Sequence, residues 1–169
     1  MPSFYTVDRL GSLREGIILG LTRYDDIKPS ELQQHVDAMF PDGVTTHGER
    51  YFLKNTSTPH LASPNIELLF EYVRRAFYVT RPSRFQSFFG CEKEQQAVAF
   101  RQRFGKPDNA VWEVQAHEFL VADMNLLMTG TSILVYSYFA HKYWRGEASQ
   151  DPFWEVLLVP PVTVVRRAL

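Results

Sequence analysis

One carboxylate, Glu155, interrupts the otherwise uncharged run Phe153-Trp154-Glu155-Val156-Leu157-Leu158-Val159. Burying an ionised carboxylate without a partner costs several kcal/mol, roughly as for any buried ion, so Glu155 must face solvent, a partner group or a ligand. A half-exposed strand with an outward Glu meets the first demand, and a site meets the others. Upstream, Ser83-Arg84-Phe85-Gln86-Ser87 would, as a strand, put Ser83, Phe85 and Ser87 on one face and Arg84 and Gln86 on the other. Two hydroxyls together, or a guanidinium beside an amide, are equipment for a polar ligand, and an edge strand with a solvated Arg is the plain alternative. Tyr143-Trp144-Arg145-Gly146 closes an aromatic segment just ahead of the Glu155 run, where a ring either stacks on a planar heterocycle or joins the core.

Other polar residues carry less. Asp123 stands in the apolar run Leu120–Leu126 and either caps the helix that follows or reaches a ligand, the cap being the expectation. Glu71 with Arg74 and Arg75 has the i,i+3 and i,i+4 spacing of a surface ion pair. The histidines at 35, 47, 60, 117 and 141 show no metal-ligand spacing, and no Gly-x-Ser-x-Gly elbow, P-loop or Gly-x-Gly-x-x-Gly loop occurs. Serine-nucleophile, metal-dependent and Rossmann chemistries lose support accordingly.

The elements that must position these residues follow from pattern. Phe4-Tyr5-Thr6-Val7 reads as a strand, and Leu13–Leu21 as a turn into a second apolar strand or short helix. Leu32, Val36 and Met39/Phe40 share a face of a helix over Pro29–Phe40 that stops at Pro41-Asp42-Gly43. Residues 41–62 read as a loop with one short strand at Tyr51-Phe52-Leu53. Ser63-Pro64 signals a helix start, with Glu67 in the first turns and Leu69, Tyr72, Val73, Ala76 and Phe77 lining one face, and Pro82 closes that element. Then come a strand over Ser83–Phe89, a helix over Glu92–Phe104 with Ala97, Val98 and Phe104 inward, a strand over Val111–Ala116, a helix over Thr131–Trp144, and strands over Phe153–Val159 and Val162–Val165 broken apart by Pro160-Pro161.

With 169 residues and 45% hydrophobic side chains, the chain has the size and apolar content of one domain with one core. A net charge of -1 supplies no global basic field, so nucleic acid is not indicated as a partner. The lone Cys91 forms no internal disulfide and no zinc framework, no run approaches the ~20 apolar residues of a membrane span, and no signal-peptide pattern follows Met1. The expectation is a cytoplasmic protein in a reducing compartment, without a membrane partner.

Taken in order, Phe4-Tyr5-Thr6-Val7 with Leu13 and Gly16, the Ser83–Ser87 stretch, the helix, Val111–Val114 and Trp154–Leu158 resemble the layout of ADP-ribosyltransferase-like domains. The sequence is also similar to a family of uncharacterised bacterial proteins with SRFxS, YWxGE and WEVLL segments. The resemblance covers most of the chain and implies an α+β fold of two small packed β-sheets flanked by helices, over a single domain at 1–169. It further implies a transferase that cleaves NAD, its substrate, and moves ADP-ribose to a protein or nucleic-acid acceptor. Glu155 would stabilise the positive charge that develops at the ribose and accept a ribose hydroxyl. Ser83, Arg84 and Ser87 would occupy the middle strand, Arg84 or Arg9 would neutralise the pyrophosphate, and Tyr5 or Tyr143 would pack on the nicotinamide or its ribose. Thr6 departs from the pattern, because His or Arg is expected beside Tyr5. The alternatives are a non-catalytic nucleotide- or protein-binding module on the same scaffold, and a nuclease or other toxin, which needs a basic groove.

Overall fold

The computed structural model describes residues 1–54, 62–128, 130 and 132–169. Strand β1 (Ser3–Asp8) opens the chain, β2 (Ile18–Leu19) follows, and helix α1 spans Ser30–Met39. A short turn α2 (Thr46–Gly48) runs into a wider π-type turn over Glu49–Leu53, and α3 spans Pro64–Phe77. After β3 (Phe88–Gly90) come α4 (Glu94–Phe104), β4 (Ala110–Gln115), β5 (Phe119–Asp123), α5 (Ile133–Arg145), β6 (Trp154–Leu158) and β7 (Val162–Arg167). The strands form two antiparallel sheets, ordered β1-β4-β7-β2 and β3-β6-β5. The architecture is therefore α+β, with two small sheets and flanking helices.

The sheets touch where β1 leaves the end of β3. Tyr5 N–H donates to the Cys91 carbonyl at 2.9 Å and Cys91 N–H returns the bond to Tyr5 at 2.8 Å. Such an approach needs a small residue beside it: a Cβ at Gly90 would lie 3.1 Å from the Tyr5 carbonyl oxygen and 3.4 Å from Leu158. Alternation along β6 then divides the interior. Val156 and Leu158 pack with Phe4, Val114, Val162 and Val164 of the other sheet, while Leu157 joins a second core with Phe70, Val73, Tyr143 and Trp144 of α3 and α5. Glu155 belongs to the Leu157 face by the same period, which aims it toward the helices.

Several expectations change. The strand over Ser83–Phe89 is a 3-10 turn at Arg84–Gln86 and only then β3, because the Ser83 side chain accepts the Phe85 N–H and turns the backbone. Alternation fails there, and Arg84 is buried. Tyr51–Leu53 is helical instead of a strand, and the Leu120–Leu126 run contributes β5 and a 3-10 turn over Met124–Leu127. Helix α3 begins where Ser63-Pro64 predicts, yet its buried face carries Ile66, Glu67, Phe70, Glu71 and Val73, while Tyr72 and Phe77 are exposed. Helix α1 buries none of its own residues, and Phe40, just past its end, makes the tight contact. Residues 55–61 of the expected 41–62 loop, His60 among them, and Thr131 lie outside the described residues. Among the described residues, no helix is long and apolar enough to cross a membrane.

Candidate functional site

Glu67 and Glu71 stand four residues apart on α3, so they project from one face, and both are buried. Each is matched by arginine. Arg74 grips Glu71 through Nε at 3.0 Å and Nη2 at 2.9 Å, Arg75 Nε adds 2.7 Å, and the Ser83 hydroxyl donates to it at 2.9 Å. The pair expected on the surface is thus a buried clamp that fixes the start of the 84–86 turn. The turn in turn delivers Arg84 to Glu67, which it meets through Nε at 2.7 Å and Nη2 at 2.9 Å.

The same guanidinium reaches β6. Arg84 Nη1 donates to Glu155 Oε1 and to the Tyr143 hydroxyl, and that hydroxyl donates to Glu155 Oε1 at 2.7 Å. Phe89 and Tyr143 wall the cation, their ring centres 4.8 and 5.4 Å from its Cζ. Burial alone would lower the Arg84 pKa, but Glu155 and then Glu67 raise it well above its usual value. Burial alone would raise the Glu67 pKa, but Arg84 and His47 hold it well below the carboxylate range. For Tyr143, burial raises the pKa and Glu155 adds to it against the pull of Arg84, so the phenol stays protonated. Two carboxylates therefore share one buried guanidinium.

A cavity of about 240 Å³ opens between the sheets, and Glu155 lines it. From β1 come Tyr5, Thr6 and Asp8, from just past its end Arg9, from α2 and the turn after it His47, Arg50 and Tyr51, and from the β3 side Ser87, Phe89 and Cys91. His47 lies flat on Tyr51, ring centres 4.3 Å apart at 20°, with its Nε2 buried 3.2 Å from Glu67 Oε1 at an angle short of an aligned hydrogen bond. Arg9 leans over Phe100 at 5.9 Å, and its pKa is lowered first by burial and then by Arg50, which places two guanidinium charges in one field. Burial, with Glu155 second, pushes the Cys91 thiol up to about 12. The two acids of the lining are engaged: Asp8 accepts the N–H groups of Ser12 and Leu13 at 3.1 and 2.8 Å, and Glu155 accepts from Arg84 and Tyr143.

The residues singled out from sequence divide in two. Glu155, Tyr5, Thr6, Arg9 and Ser87 share the cavity. Ser83, Arg84 and Tyr143 do not line it. Ser83 is tied to Glu71, Arg84 is held between Glu67 and Glu155, and Tyr143 lies fully buried with its ring edge-on to Phe70 and Trp144. Two expected roles change with that placement: Arg84 lies outside the cavity and gives four of its five N–H groups to carboxylates and a phenol, away from any pyrophosphate bound there, and Tyr143 is buried in the core away from the cavity. Hydroxyls near the cavity are also committed, Thr6 Oγ1 to the Phe89 carbonyl at 2.7 Å and Ser87 Oγ to the Ser83 carbonyl at 2.7 Å. Sequence reasoning missed Glu67, His47 and Arg50 as parts of the site. For Glu67 a signal existed, since acids at 67 and 71 fall on the face shared with Phe70; His47 and Arg50 sit in a polar stretch that gives none.

Among curated proteins none matches this chain. The family described as "Protein of unknown function (DUF2441)" matches residues 23–168, a span that holds His47, Arg50, Glu67, Arg84, Tyr143 and Glu155 and begins after β1. By that match over most of its length, the chain belongs to the DUF2441 family.

Proposed function

We propose that this protein binds NAD in the cavity between its sheets, breaks the bond from ribose to nicotinamide and passes ADP-ribose to a protein or nucleic-acid acceptor, on an ADP-ribosyltransferase-like fold. The observation that carries the reading is Glu155 on the cavity wall, backed by a buried cluster in which two carboxylates share the single charge of Arg84. The surplus negative charge of such a cluster favours a positive charge arriving in the cavity. The ribose gains that charge as nicotinamide leaves, and fixed charges in a site with little water stabilise it far better than solvent would. Arg84 and Tyr143 both bind Oε1 of Glu155, which leaves Oε2 as the oxygen for a ribose hydroxyl. The first and late strands implicated by the resemblance are β1 and β6; the middle stretch Ser83–Ser87 is a turn that leads into β3, which pairs with β6 and reaches Tyr5 through Cys91. Arg9 and Arg50 supply cations for the pyrophosphate, and Tyr5 or Tyr51 a ring for the nicotinamide.

A second reading, nucleotide binding without cleavage, is favoured by Thr6, whose hydroxyl is spent on Phe89. Ligand-observed NMR tests the binding common to both. Saturation transfer from the protein to NAD is expected in the native chain and in Glu155→Ala, with about tenfold weaker binding in Arg9→Ala, as for loss of one charge-assisted contact. Absence of transfer to NAD in the native chain would end both readings.

A further inference from the structure

His47 lies at the border between the buried acid cluster and the cavity, and its position is fixed from several sides. The Thr45 hydroxyl sits 2.9 Å from the Ser87 carbonyl and 3.2 Å from that of Phe85, anchoring the start of α2. At Gly48 a Cβ would come within 2.4 Å of the Phe85 carbonyl oxygen, so the turn is pressed against the segment that carries Arg84. The imidazole is held between the Tyr51 ring at 4.3 Å and the Phe89 ring at 4.6 Å. Its Nε2 is buried beside Glu67 Oε1, while the side chain as a whole keeps 16% exposure and lines the cavity.

The tautomer follows from charge. Arg84 grips both oxygens of Glu67 and keeps it a carboxylate. A lone pair on Nε2 would face that anion and be repelled, so Nε2 carries the proton, and in the neutral ring the lone pair belongs to Nδ1. Nε2 stands 3.2 Å from Glu67 Oε1 without an aligned hydrogen bond, so Glu67 sets the tautomer through its charge, and a ring with one nitrogen set in this way while the other works as a base is a recurrent catalytic arrangement.

We infer that His47 is the general base of the transfer step, with Glu67 as its positioning residue, an assignment that rests on the NAD-cleaving reading. The acceptor is then a hydroxyl, with water as the substitute. Its oxygen bonds to the anomeric carbon as the bond from that carbon to nicotinamide breaks. The electron pair of the broken bond leaves with the nicotinamide nitrogen and cancels its positive charge, and the hydroxyl proton passes to His47 Nδ1. The groups that set the field at His47 are Glu67 with Arg84 behind it, Glu49, Arg50 and Tyr51 on its own segment, Tyr5 and Asp8 of β1 with Arg9 just past its end, and Cys91 and Glu155 of the remaining wall.

The test combines nitrogen-15 NMR of the histidine rings with nicotinamide release from NAD in water as a function of pH, on native, His47→Gln and Glu155→Gln chains. The native rate rises with pH to a plateau as one proton is lost. His47→Gln loses release by about 10²-fold or more and loses that acidic limb. Neutral His47 shows the Nε2–H tautomer, a result read without turnover. An Nδ1–H tautomer, or release by His47→Gln with the native pH profile, overturns the assignment. If Glu155→Gln abolishes release while His47→Gln does not, the base role fails and the NAD-cleaving reading stands. If the native chain releases nothing, both fall together.

Discussion

Arg84 is the residue on which the interior charges depend. It is the shared partner of Glu67 and Glu155, and removing one partner of a buried ion pair leaves the other uncompensated, at a cost of about 3–5 kcal/mol. Lysine would keep the charge but lose the fork that holds both oxygens of Glu67. Arg84→Met is therefore expected to lose about 3–5 kcal/mol in urea unfolding at pH 7. The pH dependence has a definite sign. The Glu67 pKa is lower folded than unfolded, so its stabilisation is complete above the ordinary carboxylate value of about 4.3 and fades as pH falls toward the folded value. In Arg84→Met the depression is smaller, so the stability gap between the two chains should narrow between pH 7 and pH 3. A gap that stays constant or widens on acidification would contradict the assignment of Arg84 as the charge that holds Glu67 ionised. Little of this was legible in the sequence. Alternation is a fair guide only inside a strand, and the one hydrogen bond from Phe85 N–H to Ser83 converts the stretch to a turn and sends Arg84 inward.

At the scale of elements, local capping signals proved the most readable. Ser63-Pro64 marks the start of α3, and Asp123 caps the turn after β5 as its place ahead of Met124-Asn125 suggests. The structure extends the second role. Fully buried, Asp123 accepts N–H groups from Asn125 at 3.0 Å, Ser149 at 2.7 Å and Phe153 at 2.9 Å, so one carboxylate ties the end of β5 to the segment that enters β6. Those bonds hold the strand on which Glu155 stands. Asp123→Ala leaves three amides without their acceptor and is expected to cost about 3 kcal/mol, measured as a lower urea midpoint with unchanged slope. A loss below about 1 kcal/mol would mean that the segment is held elsewhere. What periodicity could not supply was the buried face of α3, because a carboxylate counts as polar in any apolar pattern even when an arginine from a distant turn neutralises it.

For the whole molecule, the position of the cavity follows from how the two sheets meet. Each strand pairs within its own sheet, and the sheets are sutured at Tyr5 and Cys91, beside which β1, α2 and β6 contribute their side chains to one hollow. Much of the order of strands and helices was legible as a layout, and the α+β class with it, but β5 was not read as a strand. The contribution of α2 was not, since nothing in Thr45-Thr46-His47-Gly48 reports that Phe85 and Ser87 will be its neighbours. On the proposed reading, Glu155, held by Arg84 and Tyr143 at this hollow, promotes cleavage of NAD. The most direct measurement is the time course of nicotinamide release from NAD by the native chain and by Glu155→Gln, which keeps the size of the side chain and removes its charge. Release by the native protein and loss of at least 10²-fold in the variant is the predicted result; release that is absent from the native chain, or equal in the two, would contradict it.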